Sequence, residues 1–262
     1  MQDRGLAAYI AELLGTLFLV LAVGTVVSLY VSTSPQSQIG SDFAVVGLVH
    51  AFVLFLLIIG FGAASGGHFN PAVTLAAWAS RRIDPVDAVV YVLAQLSGAV
   101  LGALLVKGLL LDEGRATDYG AAKISPLLGS TFAGGVVEAL GTFLLVLAVC
   151  AVAFNPRARQ EWAPLAIGTT LGFAVMIFGP LTGGSFNPAR WFGPALIGDA
   201  FGDFGDILVY TIGPLVGALV AFGVYRFVIV GPQYAEGAEP PTSDVRAAAQ
   251  AVRAAETRAR NE

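Results

Sequence analysis

Six long apolar stretches dominate the chain, at about 6–31, 43–63, 86–111, 130–154, 163–180 and 207–230. Each is near the roughly 20 residues that a helix needs to cross about 30 Å of hydrocarbon. In lipid a helix is favoured because it satisfies every backbone N–H and C=O internally. A membrane barrel would instead alternate apolar and polar positions over segments of about ten residues, a pattern this sequence does not follow. The pattern therefore predicts an all-α membrane protein with six spans. Two more segments, 64–80 and 181–198, are apolar but too short to cross, and both are Gly-rich and carry a proline. Each has about 11 helix-competent residues after an Asn-Pro step, roughly 16 Å or half a bilayer. Short, interrupted segments in matching places point to a binding or conduction site near the midplane.

The two halves repeat. Glu12-Leu13-Leu14-Gly15-Thr16 returns as Glu138-Ala139-Leu140-Gly141-Thr142, and Ser65-Gly66-Gly67-His68-Phe69-Asn70-Pro71-Ala72 returns as Thr182-Gly183-Gly184-Ser185-Phe186-Asn187-Pro188-Ala189. Apolar composition alone does not generate two such copies in corresponding places. Each half, about 6–111 and 130–230, holds three spans, with its short segment after the second. An odd number of spans inverts the second copy, so the short segments enter from opposite faces and meet in the middle.

Composition agrees. The chain of 262 residues is 56% hydrophobic and 12% charged, with mean hydropathy +0.77; soluble domains carry about 25% charged residues. The net charge of -4 and the lack of a basic, aromatic-interleaved patch give nucleic-acid binding no support. Cys150 is the sole cysteine, so no intrachain disulfide and no cysteine-based metal site is expected. No cofactor is implied. The first apolar run, at about 25 residues, exceeds the 7–15 of a signal-peptide core and reads as a retained span. Arg4, Arg81, Arg82, Arg157, Arg159 and Arg226 fall in the N-terminus, the second and fourth connections and the C-terminal end. The positive-inside rule then puts both termini in the cytoplasm. Residues 1–230 read as one channel domain. Residues 231–262, rich in Ala, Arg and Glu, read as a mobile cytoplasmic tail.

With paired Asn-Pro-Ala motifs in inverted halves and Arg190 following the second, the sequence resembles the aquaporins (major intrinsic proteins). The resemblance covers about 6–230 and includes Glu12, Gln95, Glu138 and the Gly-Pro-Leu-Val-Gly-Ala run at 213–218. It implies a bundle of six transmembrane helices plus two re-entrant half-helices, acting as a passive channel. It also implies a homotetramer in a cell membrane, each protomer with its own pore. The residues suit the task. Pro71 and Pro188 fit a first helical turn, and Asn70 and Asn187 fit N-caps. Each asparagine would then turn an NH2 towards a passing water. Two half-helix N-termini aimed at one point disfavour a cation there, an electrostatic exclusion that is a known feature of such channels. Ala72 and Ala189 complete the motifs. Glu12 and Glu138 lie inside spans, where a charge must be paired. The resemblance gives them the role of holding the re-entrant loops, with Gln95 in support. A proton relay is the rival role, but it needs a chain of titratable groups that these spans lack.

The family resemblance places a four-residue constriction at His50, Val175, Gly184 and Arg190. Water-selective members usually have Phe and His where this chain has His50 and Val175. The set is similar to that of some plant tonoplast intrinsic proteins, which pass water and ammonia. It implies a wider opening that keeps one imidazole and one guanidinium. His68 is a candidate for lining or bracing the cytoplasmic side. Glycerol facilitators usually carry Asp after Asn-Pro-Ala-Arg; Trp191 fits neither that pattern nor the small Ser of water channels. Thr211, where Trp is common, is a second departure. The cysteine that confers mercury sensitivity is replaced by Gly184, so mercury is expected to inhibit weakly. The leading expectation is a channel for water, with ammonia or another small uncharged solute beside it. Glycerol facilitation and coupled secondary transport are the alternatives. No metalloprotease or serine-nucleophile motif supports an enzyme.

Overall fold

Helices form where the apolar runs lie. In the computed structural model, which describes residues 5–31, 42–155 and 158–230, the spans are α1 (Gly5–Tyr30), α2 (Phe43–Ser65), α4 (Pro85–Leu109), α6 (Thr131–Val149), α7 (Ala163–Thr182) and α9 (Phe204–Gly223). Two helices continue as wider π turns, Cys150–Phe154 after α6 and Val224–Ile229 after α9. All six are long and apolar enough to cross a membrane. The half-helices are α3 (Pro71–Ala79) and α8 (Pro188–Gly198), and a short α5 (Leu111–Ala116) follows the third span. There is no strand among the described residues. The expected tail at 231–262 lies outside them. By backbone contacts the chain falls into two units, Met1–Tyr225 and Arg226–Glu262, and every contact described below belongs to the first.

Local chemistry sets the ends. Asp42 caps α2 by accepting from the Val45 N–H (3.0 Å), and Ser130 caps α6 by accepting from Ala133 (3.2 Å). Asp203 and Asp206 form a reciprocal capping box on α9. Gly66 and Gly183 end α2 and α7 in the left-handed conformation (φ 92° and 77°), where a side chain would be strained.

The spans pack in matching pairs: α1 on α4, α6 on α9, and α2 on α7 between the halves. Close approach depends on glycine. A Cβ on Gly98 would lie 2.2 Å from the Leu13 carbonyl oxygen, and one on Gly217, its counterpart, 2.1 Å from that of Ala139. Membrane helices associate through such small-residue contacts because lipid supplies no hydrophobic force between them. The outer faces stay apolar: Leu93, Leu104, Ile212 and Val220 are all exposed. A water-soluble monomer rarely tolerates such a surface; hydrocarbon does. The half-helix α3 lies against α4 and α9, and α8 against α4 and α1. Both are thereby held inside the bundle, where irregular backbone is tolerated.

Candidate functional site

Each half-helix starts at its proline. Asn70 and Asn187 are the N-caps, in extended conformation, with Pro71 and Pro188 at the first helical position. The Asn70 side-chain oxygen, Oδ1, accepts from Ala72 N–H (2.8 Å). That of Asn187 accepts from Ala189 (3.0 Å) and Arg190 (3.2 Å). The amide nitrogens then cross between the repeats. Asn70 Nδ2 donates to the Phe186 carbonyl (2.9 Å) and Asn187 Nδ2 donates to the Phe69 carbonyl (2.8 Å). The sequence reading left these NH2 groups free. Instead, one hydrogen of each ties the two half-helices together and the second remains.

Phe69 and Phe186 themselves sit at positive φ (48° and 51°), a conformation rare for bulky residues. Packing holds them there. Each ring fills the place of a missing side chain: a Cβ on Gly15 or Gly141 would lie 2.1 Å from the ring of Phe69 or Phe186.

Buried carboxylates anchor both loops. Glu12 accepts from Ser65 Oγ (2.6 Å), His68 N (2.9 Å), Phe69 N (2.7 Å) and Gln95 Nε2 (2.7 Å). Glu138 accepts from Thr182 Oγ1 (2.7 Å), Ser185 N (3.1 Å) and Phe186 N (2.7 Å). Both side chains are fully buried. Charge-assisted bonds of this number compensate the loss of water. Gln95 also donates to Thr74 Oγ1 (2.9 Å), whose hydroxyl donates to the Asn70 carbonyl (3.1 Å).

A cavity of about 380 Å³ runs past these elements. His50, His68, Asn70, Gln160, Ser185, Asn187 and Arg190 supply its polar side chains, against a wall of Leu19, Val23, Leu54, Ile58, Val73, Val149, Ile167 and Leu171. His50 Nδ1 lies 2.8 Å from the Val46 carbonyl, while its buried Nε2 has no protein partner. Arg190 donates through one terminal nitrogen to the Gly120 carbonyl (2.9 Å), and its Nε has no protein partner. Val175 and Gly184 are not on the wall of this cavity. They adjoin each other, with a Cβ on Gly184 falling 3.3 Å from Val175 Cγ2. His68 faces Thr74, its Nδ1 3.1 Å from the hydroxyl, and packs edge-on to Tyr91. Cys150 is buried and does not line the cavity.

The model of the family described as Major intrinsic protein matches residues 2–225. The chain belongs to this family. Its members are passive channels and not enzymes. A protein named Probable aquaporin TIP2-2, from Oryza sativa subsp. japonica, is 39% identical over 85% of this chain and 87% of its own length. A second, named Glycerol uptake facilitator protein-like 6, from Lactiplantibacillus plantarum, is 37% identical over 81% of this chain and 94% of its own. Among solved structures, the aquaglyceroporin from Plasmodium falciparum matches with a TM-score of 0.73, covering 85% of this chain and 96% of that one. At 23% identity that likeness speaks for the fold alone.

For a major intrinsic protein, the further contacts bear on the channel's framework, and several were not singled out in the sequence. Tyr91 and Tyr210 occupy equivalent places: their hydroxyls donate to the Ser65 (2.8 Å) and Thr182 (2.7 Å) carbonyls, closing each re-entrant loop against the third span of its half. Tyrosine is common in spans, so only its recurrence at matching positions could have marked it. Trp191, a departure in the motif, is buried and stacked on Tyr210 (5.4 Å, 14° between planes), with Phe201 edge-on to its other side. It packs against these rings and is not on the cavity wall. Gly120 was missed altogether, because a backbone carbonyl has no sequence signal.

Proposed function

We propose that this channel conducts water, and ammonia beside it, and excludes protons and ions. The single observation that carries this reading is the shared cavity. Asn70, Asn187, His50 and Arg190 are among the polar residues on a largely apolar wall, and each asparagine caps the N-terminus of a half-helix. Each asparagine keeps one N–H, so a water at that point accepts from both and turns its own hydrogens outward. A water so oriented cannot pass a proton along a continuous donor chain, and the positive helix ends disfavour hydronium. Next to them, Arg190 and His50 replace part of a permeant's hydration, and one nitrogen of each, Nε and Nε2, has no protein partner. Val175 and Gly184 are absent from that wall and so add no bulk to the passage. That leaves room beside the imidazole for ammonia. We further place the channel in a cell membrane as a homotetramer, with both termini cytoplasmic.

Glycerol conduction is the second reading, favoured by the absence of a side chain at Gly184 and by the relative named for glycerol uptake. Stopped-flow measurements on proteoliposomes separate them. Water flux with an activation energy well below that of bare lipid, and glycerol flux near background, support the first. A lipid-like activation energy for water would remove the channel assignment for that solute, and fast glycerol entry would select the second.

A further inference from the structure

We propose that Lys107 and Tyr119 form a latch that keeps Arg190 in place, making Lys107 a specificity-determining positioning residue that never meets the permeant. The proposal rests on the constriction reading given above.

Among the described residues, the Gly120 carbonyl is the acceptor for the Arg190 guanidinium (2.9 Å), and both residues are buried. Where that carbonyl sits therefore decides where the guanidinium sits. Gly120 ends a turn that is left-handed at three successive residues, Asp118 (φ 48°), Tyr119 (φ 55°) and Gly120 (φ 90°). Asp and Tyr adopt that region only where surrounding contacts over-determine it. Glycine at 120 is required twice, by its φ and because a Cβ there would lie 2.6 Å from the Gly24 Cα of α1.

Besides its own backbone bonds and its packing on Gly198, three side-chain interactions fasten the turn. Thr117, just before it, lies with its hydroxyl 3.1 Å from Ser28 Oγ on α1. Lys123 pairs with Asp118, an exposed contact that water screens. The third is the latch. The Tyr119 ring is buried and seated over Gly114, where a Cβ would lie 2.6 Å from Cδ1. Lys107, half-buried in the last turn of α4, places its Nζ 5.3 Å from the ring centroid. A partly desolvated ammonium over an aromatic face is held more firmly than an exposed ion pair. Because Tyr119 precedes Gly120 in the same strained turn, pinning its ring fixes the direction of the next carbonyl. Lys107 does not line the cavity, so its influence on permeation runs through the turn alone.

With the latch removed, the turn relaxes towards ordinary backbone and Arg190 loses its fixed acceptor. The constriction is then less rigid and admits larger polar solutes. The test compares water and glycerol permeability of full-length protein in proteoliposomes. Lys107→Met and Tyr119→Leu are expected to raise the glycerol-to-water ratio roughly twofold to fivefold, the population shift that loss of a partly buried cation–π contact allows. Lys107→Arg and Tyr119→Phe keep the parent ratio. A merely structural role would lower both fluxes together and leave the ratio alone. If Tyr119→Leu does not fold, Lys107→Met decides, since its side chain is half-exposed. A ratio unmoved by Lys107→Met but raised by Arg190→Ala overturns the latch and spares the constriction. A ratio unmoved by either overturns both.

Discussion

At the scale of single residues, buried polar side-chain atoms in this bundle are of two kinds, those with a protein partner and those without, and of the latter His50 and Arg190 belong to residues that line the cavity while Gln95 Oε1 does not. The asparagine side-chain oxygens, both glutamates and the Gln95 amide nitrogen belong to the first kind. His50 Nε2 and Arg190 Nε belong to the second. Removing a group of the second kind should change selectivity before stability. Arg190→Ala is expected to raise glycerol and proton leak about tenfold, the effect of about 1.4 kcal/mol on a barrier. Solute uptake and a pH-jump assay on proteoliposomes measure both, and unchanged leaks would remove Arg190 from the constriction. His50→Phe deletes the imidazole and narrows the passage. Ammonia flux should then fall by a larger factor than water flux, read with an internal pH dye; equal losses would deny His50 a solute-specific part. These residues were legible in the sequence because a polar or charged side chain in an apolar run demands explanation. Gly120, Thr74 and the two tyrosines were not: a carbonyl is invisible in sequence, and Thr and Tyr are ordinary within spans.

At the scale of elements, the re-entrant loops stand on carboxylates. Without Glu12, Ser65 Oγ, the His68 and Phe69 N–H groups and Gln95 Nε2 all lose an acceptor. Each unsatisfied buried donor costs about 1–3 kcal/mol. Glu12→Ala should therefore lower stability by more than about 3 kcal/mol, seen as a large fall in thermal midpoint and loss of water flux. Glu12→Gln keeps one accepting oxygen and should fall in between. Midpoints for both variants within error of the parent would show that the carboxylate is not the anchor. Glu138 has no equivalent of Gln95, since Pro214 stands four residues after Tyr210 where Gln95 stands four after Tyr91. Its network is smaller by one donor, so Glu138→Ala should be the milder loss. The two half-helices were foreseeable from Asn-Pro and the glycines. They start at Pro71 and Pro188, at the Asn-Pro steps where the sequence places them, while 66–70 and 183–187 carry the left-handed turns and the strained phenylalanines. The π turn after α6 and the left-handed turn at 118–120 had no visible pattern.

At the scale of the whole molecule, the repeat supplies its own control. Ser65 and Thr182 stand 117 positions apart, as do Asn70 and Asn187. The same offset pairs His50 with Ile167, Val175 with Ile58, Gly184 with Gly67, and Arg190 with Val73. All four mates line the cavity, and all are apolar or glycine. The framework is therefore symmetric while His50 and Arg190, proposed as the polar constriction, belong to one limb, the limb whose turn at 118–120 supplies an acceptor for a guanidinium. A polar group introduced in the other limb finds neither that arginine nor that carbonyl. Ile167→His, the mirror of His50, should accordingly leave the glycerol-to-water and ammonia-to-water ratios within about twofold of the parent, the range of a substitution away from special contacts. The same ratios should move in His50→Phe. If Ile167→His shifts them as strongly, selection is distributed along the passage, and the asymmetry between the limbs reflects folding rather than permeation.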